Sequence, residues 1–349
     1  MRRILFLAVI LAAAACGAKA DGKMCCKGDS SEVFGVAFYN VENLFDTINA
    51  NGRYDLEFSP EGARKWDSAK YRLKINNLAN AIAGLVTDST PGGPSVIGIA
   101  EVENESVVKD LVSAAPLARR GLKYVHRDSP DPRGIDVALL YDPCKFSVTG
   151  VETHRLHIDD NPDFRTRNQL CVSGVLGVDT ISVIVNHWPS RLGGQELSEP
   201  LRVAAAELSK AIADSIRSVS PLRPIIIMGD LNDDPQDESC SRVLGARRDA
   251  YDVPSTGFYN PWWSILDSGR GTLTYRGKWN LFDQIIVSGS LLPDNGSTIT
   301  FVGAEICDLD FLKQKQAPYT GFPHRTFAGG RFLKGYSDHF PTQIFLKRK

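Results

Sequence analysis

Short runs of β-branched and aromatic residues recur along the chain, at Val33 to Tyr39, Val96 to Ala100, Ile135 to Tyr141, Ile181 to Val185, Ile225 to Met228, Gln284 to Val287 and Phe340 to Leu346. Apolar runs of this length, bounded by polar and turn-forming residues, predict buried strands. Tyr71, Ile75, Leu78, Ile82 and Leu85 fall at i, i+4, i+7, i+11 and i+14, and Leu201, Ala205, Leu208, Ile212 and Ile216 keep a similar stripe. Both patterns predict amphipathic helices. No long linker, internal repeat or low-complexity block follows residue 31, so residues 32–349 read as a single α/β domain.

The polar residues at the ends of these runs say more than the runs. Asn40, Glu101, Asn186-His187 and Gly229-Asp230-Leu231-Asn232 follow their apolar runs, whereas Arg133, Asp283 and Ser337-Asp338-His339 precede theirs. If all seven groups share one edge of the protein, the second set of strands runs opposite to the first. That predicts mixed sheets and excludes an all-parallel doubly wound one.

The first thirty residues read differently. Arg2 and Arg3 precede an apolar run from Ile4 to Ala15, too short to span a bilayer as a helix but right for the core of a secretory signal. Residues 1–20 are thus expected to be a signal peptide ending at Ala18-Lys19-Ala20, and residues 21–31 a tether. Ala13-Ala14-Ala15-Cys16 also has the form of a bacterial lipobox, so a lipid anchor at Cys16 is the alternative to plain cleavage. Either way the protein is expected to be exported, whether periplasmic, secreted or an outer-surface lipoprotein. Setting Cys16 aside leaves an even number of the seven cysteines, which an oxidising compartment permits to pair. No C-x-x-C spacing marks a structural zinc site. The formal net charge of −1 shows no basic excess, so a nucleic-acid role has to rest on a local site.

The residues at the run ends are carboxylates and amides with two histidines and one arginine. Such hard oxygen donors suit Mg²⁺, with Mn²⁺ or Ca²⁺ as alternatives, better than zinc. H-E-x-x-H, G-x-S-x-G, G-x-G-x-x-G and the P-loop pattern are all absent, which argues against zinc proteases, α/β-hydrolases, dinucleotide enzymes and P-loop NTPases.

Taken in order, FYNVENLFD, IAEVEN, RGIDVALLY, NHWPSR, MGDLND, FDQIIVS and YSDHFP resemble the motif series of the endonuclease/exonuclease/phosphatase superfamily, over about residues 33 to 347. The likeness is greatest to bacterial secreted or lipoprotein nuclease-like members related to pancreatic deoxyribonuclease. The resemblance implies an α/β four-layer sandwich, two packed mixed β-sheets flanked by helices, and metal-dependent hydrolysis of a phosphoester. It also implies roles. Glu101 and Asp338 would bind metal with Asn40 beside metal and phosphate, while Asp230 would orient or deprotonate the attacking water. Asn232 would bind non-bridging oxygens, and His339, paired with Asp283, would hold its imidazole against the phosphate. His187 would be an acid for the leaving oxygen, and Arg133 would bind phosphate, with Asp136 competing in the same motif.

Each motif also has a plainer reading. Asp230 to Pro235 could be a helix-capping turn, Asp283 a core acceptor and Asn40 a turn cap. Trp188, Trp262 and Trp263 read as core aromatics, and His126, His154, His157 and His324 as structural or surface histidines. Arg191 and Arg325 are open between substrate contacts and solvated charges. The expected function is an exported divalent-metal-dependent phosphodiesterase, a nuclease acting on DNA or RNA. The alternatives are a phospholipid or sphingomyelin phosphodiesterase, a sugar or inositol phosphate phosphatase, and, in another class, a non-catalytic surface binding protein.

Overall fold

The computed structural model describes residues 32–48 and 54–349. The expected signal peptide, the Cys16 anchor and the tether lie outside the described residues.

The strands up to Asp230 are β1 (Val33–Leu44), β2 (Val96–Val102), β3 (Lys123–His126), β4 (Asp136–Tyr141), β5 (Phe146–His154), β6 (Gln169–Leu176), β7 (Asp179–His187) and β8 (Ile225–Asp230). Three longer strands follow, Asp283–Ser288, Ile299–Ile306 and Thr342–Arg348. One sheet has the order Ile299–Ile306, Thr342–Arg348, β1, β2, β4, β3. The other runs β5, β6, β7, β8, Asp283–Ser288, and ends in the two-residue strands Phe258–Tyr259 and Ala246–Arg247.

Side-chain alternation along β8 shows why the sheets stack. Ile226 and Met228 face the core between the sheets, while Ile225 and Ile227 belong to a second core with Ala205, Ala206, Ile212 and Ala213 of the Gln195–Val219 helix. Period-2 alternation thus gives one strand two buried faces. The close approach of the sheets fixes Gly98 of β2: a Cβ there would lie 2.5 Å from Met228 Sδ and 3.1 Å from a Phe38 ring carbon. The Ser68–Ala83 helix buries Ile75, Leu78 and Ile82 of the predicted stripe, and Asp67 caps it by accepting from the Ala69 and Lys70 amides.

The strand directions follow the polar ends. β1 and β2 are parallel, as are β7 and β8, whereas β4, Asp283–Ser288 and Thr342–Arg348 run antiparallel to β2, β8 and β1 respectively. Two packed mixed sheets flanked by helices are therefore the observed architecture. β5, β6 and Ile299–Ile306 were not among the predicted strands. Each contains a glycine (Gly150, Gly174, Gly303), and β5 and Ile299–Ile306 are largely half-buried or exposed and shift register at their glycine. Cys144 is disulfide-bonded, while Cys171, Cys240 and Cys307 are free and buried. Among the described residues, no helix is long and apolar enough to cross a membrane.

Candidate active site

The run-end residues converge on one edge. In register, Asp230 lies opposite both His187 and Asp283, on its two neighbouring strands. From the other sheet, the Asn40 side-chain amide donates to Asp230 Oδ2 at 2.9 Å and to Glu101 Oε1 at 3.4 Å. This amide joins the ends of β1, β2 and β8 across the sandwich. The Ser337 hydroxyl donates to Asn40 O at 2.6 Å and accepts the His339 amide at 3.1 Å, which brings in the last motif.

The backbone here is strained. Glu42, Asn43, Glu101 and Asn232 have φ of 51°, 49°, 67° and 51°, a left-handed region that costs non-glycine residues on the order of 1–3 kcal/mol each. Irregular pairing between Asn40 and Leu44 and between Ala100 and Val102 marks bulges that re-aim these side chains. Local hydrogen bonds hold the strained residues. Amides of Glu42, Asn43 and Asn232 donate to Asn40 Oδ1 (3.0 Å), Glu101 Oε2 (2.8 Å) and Asp230 Oδ1 (3.0 Å).

The two histidines differ electrostatically. His339 Nδ1 lies 2.7 Å from Asp283 Oδ2, and Asp283 is fully buried with its other oxygen unpartnered. Burial works against charge on His339, but Asp283, Asp230 and Asp338 overcome it and raise its pKa well above the ordinary histidine value. His187 Nε2 sits 3.6 Å from Asp230 and 3.9 Å from Glu101. Burial, reinforced by Arg167, Arg133 and His339, holds the His187 pKa well below the ordinary value. The site thus pairs an imidazolium with a neutral imidazole. Asp230 itself is raised to about 6, chiefly by burial, against the opposing pull of His339 and Asn40.

The donor set fits a hard divalent cation. Glu101 Oε1 lies 3.4 Å from the Asn40 amide nitrogen, which also donates to Asp230, and Asp338 Oδ1 lies 3.9 Å from His339 Nε2, while Asp230, Asp283 and His339 bring their polar atoms within 4.8 Å of one another beside these oxygens. Burial, and then Asp338, raise Glu42 to about 7. Lys74 and Arg325 pull Glu42 the other way, so burial is the chief cause at both Glu42 and Asp230, and a bound cation would favour the charged form of each. Carboxylate and amide oxygens are the ligands Mg²⁺ and Mn²⁺ prefer.

The remaining predicted residues are placed as follows. Arg133, with a side chain 40% exposed, donates to Asn43 Oδ1 at 2.6 Å and lies 3.7 Å from Glu101, so it can reach a bound anion. Asp136 instead accepts from Ser129 and pairs with His126 at 3.1 Å, anchoring the loop that carries Arg133. The Asn232 amide donates to Trp188 O at 3.0 Å, leaving one N–H unused. Asp233 and Asp234 do play the turn role: Asp233 binds Arg202, Arg191 and Ser239, and Asp234 accepts the Leu281 amide. Arg191 belongs to that scaffold. Trp188 and Trp262 are core residues.

Glu42, Arg167 and Asp131 escaped the sequence reading, and Arg325, open there between a substrate contact and a solvated charge, is ion-paired at the site. Glu42 lies two residues past Asn40 in the same FYNVENLFD motif, inside the bulge where strand alternation fails, so only its place in the motif could have marked it. It accepts the Thr326 amide at 2.6 Å and lies 3.8 Å from the buried Lys74. Arg325 bridges Asp338 (2.6 Å) and Glu42 (3.7 Å). Arg167, almost fully buried, donates to His187 O (3.1 Å), Trp188 O (2.6 Å) and Asp131 Oδ2 (3.1 Å). Asp131 in turn accepts the Arg133 amide at 2.9 Å, so one guanidinium ties together the segments of His187, Asn232 and Arg133.

Comparison with known proteins agrees with this architecture. A family model described as the Endonuclease/Exonuclease/phosphatase family matches residues 35–348. No curated protein matches in sequence. Solved structures with the same fold include a D. rerio TDP2 humanised by 14 mutations, 14% identical with a TM-score of 0.55 and covering 91% of this chain and 99% of that one. A Bacteroides thetaiotaomicron endonuclease/exonuclease/phosphatase family protein is 15% identical, with a TM-score of 0.53 and coverage of 91% and 99%. A mannosyl-6-phosphatase of the same organism is also 15% identical, with a TM-score of 0.53 and coverage of 90% and 99%.

Proposed function

Because this chain belongs to the endonuclease/exonuclease/phosphatase family, we propose that it is an exported divalent-metal-dependent phosphodiesterase cleaving DNA or RNA. The observation that carries the reading is the Asp283–His339 pair, buried at 2.7 Å and facing Asp230, Asn40 and Glu101 in one cluster. A phosphodiester is anionic and repels hydroxide, so its hydrolysis needs positive charge on the non-bridging oxygens, an oriented water and a proton for the leaving oxygen.

The chain's own groups supply these. His339 carries a proton held by Asp283 and presents Nε2, 3.9 Å from both Asp230 and Asp338, to the phosphate. Asp230, poised near neutrality and fixed by Asn40 and the Asn232 amide, orients and deprotonates the water. Arg133 and the free N–H of Asn232 bind non-bridging oxygens. A divalent cation held by Glu101, Asp338 and Asn40 would add Lewis-acid stabilisation of the pentavalent charge. His187 is neutral, so it fits hydrogen bonding to the substrate better than protonating the leaving oxygen, and the acid role passes to His339.

Export rests on the basic and apolar pattern of residues 1–20. The nuclease reading rests on the motif order, and a related fold, D. rerio TDP2, has been solved with a single-stranded DNA product. The test is cleavage of supercoiled plasmid, single-stranded DNA and RNA with Mg²⁺, with chelator and Asp230→Asn as controls. Metal-dependent nicking lost in the variant is the expected result. Phosphate release from sugar or inositol monoesters, or cleavage of sphingomyelin, with every nucleic acid left intact would replace it, and no hydrolysis at all would leave a binding protein.

A further inference from the structure

Beside Asp338 and Asn43 opens a cavity of about 250 Å³ that the catalytic scheme above does not use. Glu42, Arg64, Arg325 and Thr326 line it, with Phe58 and Phe327 behind and the backbone of residues 328–330 as its rim. That rim is a hairpin in which Phe327 pairs with Phe332 and Ala328 with Arg331, turned by Gly329 and Gly330 at φ 51° and 81°. Its wall is preformed. Phe327 packs 5.2 Å from Phe332, 5.9 Å from Trp66 and 6.3 Å from Phe58, and the Trp66 indole donates to Phe45 O at 3.0 Å.

Three features decide what fits. The volume lies below the ~300–1,000 Å³ of pockets that hold drug-sized ligands, so it admits one ring and no more. The Arg64 guanidinium lies 4.9 Å over the Phe327 ring, so guanidinium, carboxylate, amide and hydroxyl groups meet the ligand in place of an open apolar face. Such planar donors and acceptors match the ring oxygen and hydroxyl or ester oxygens of a sugar, and they reject an acyl chain. Both cations are also already compensated, Arg64 by Glu57 at 2.7 Å and Arg325 by Asp338 and Glu42. No spare positive charge awaits a second phosphate.

We propose that this cavity is the subsite for a single hydroxylated sugar ring esterified to the scissile phosphate. The assignment rests on the phosphoesterase reading and narrows it, placing the ring of a nucleotide or of a sugar phosphate between the hairpin and Arg325.

The test is calorimetric titration of the protein in Mg²⁺, carrying Asp230→Asn to block turnover, with methyl phosphate, thymidine 5′-monophosphate, glucose 6-phosphate and dodecyl phosphate. At least one ring-bearing phosphate is expected to bind tenfold or more tighter than methyl phosphate, and which one does so separates a nucleotide from a hexose. Ala328→Trp, filling the cavity from an exposed hairpin position, and Arg64→Ala are each expected to remove that advantage while methyl phosphate stays within twofold. Equal binding of ringed and ringless phosphates, a preference that survives both substitutions, or tighter binding of dodecyl phosphate overturns the subsite alone. Failure of all four phosphates to bind overturns the phosphoesterase reading, and the subsite falls with it.

Discussion

Replacing Asp283 by Asn isolates the interaction on which the proposed chemistry turns. The change is nearly isosteric at a fully buried position, and it removes the negative charge 2.7 Å from His339 Nδ1 while keeping an oxygen acceptor. A hydrogen bond between charged groups contributes about 1.5–3 kcal/mol net, and each ~1.4 kcal/mol is a factor of ten, so kcat/KM on single-stranded DNA in Mg²⁺ should fall about 10- to 150-fold. The pH profile adds a sign. His339 has its pKa raised in the folded protein, so activity needing the imidazolium is present at low pH and lost as pH rises through that folded value. With Asn at 283 the alkaline limb should move to lower pH. Stability follows the same direction. The pair stabilises fully below the unfolded histidine value of about 6.5 and loses its contribution through the raised folded pKa, so the variant should be most destabilised near pH 5.5 and least at high pH. Initial rates from pH 5.5 to 9, with thermal unfolding at each pH, measure both. A folded variant with rates within twofold of wild type and an unmoved alkaline limb would refute the role given to His339.

Asp230→Asn should lower the rate at least 100-fold yet stabilise chelator-treated protein. Its folded pKa of about 6 lies above the unfolded value, so the charged form costs stability as pH rises through that window, up to about 3 kcal/mol at pH 8, readable by chemical unfolding. Saturating Mg²⁺ or Mn²⁺ should raise the midpoint of thermal unfolding, by about 2.7 kcal/mol of stability at 100 times Kd, and by more at pH 8 than at pH 5.5, because Asp230 and Glu42 lose their protons near 6 and 7. Scanning calorimetry with and without chelator checks it, and a larger shift at the lower pH would contradict it. Arg167→Met should destabilise by about 3–5 kcal/mol by leaving the buried Asp131 unpaired. Adding Asp131→Asn should restore part of that stability without restoring the rate, since the Arg133 and His187 segments remain untied.

What the sequence made legible depended on how far each residue's role was local. Asn40, Glu101, Asp230 and His339 could be read because each sits where an apolar run stops or, for His339, starts, and a run end is visible in one dimension. Their shared edge could also be read, since a polar residue before or after its run encodes strand direction, and the observed pairing obeys that rule. Arg167 could not, and Arg325 could be read only as open between a substrate contact and a solvated charge. A guanidinium in a loop looks the same whether it is solvated or tied to His187 O and Trp188 O, and only the folded chain brings Asp338, 13 residues on, against Arg325. The half-exposed strands β5 and Ile299–Ile306 were lost for a related reason, because glycine and a register shift break the alternation that marks a strand. Residues placed at a strand end, including those proposed to perform the chemistry, therefore show in sequence, whereas residues that hold them in place act across the sandwich. That division explains why the motif series pointed to a family while the proposed sugar subsite, lined by Glu42, Phe58, Arg64, Arg325, Phe327 and Asp338 from distant parts of the chain, left no motif of its own.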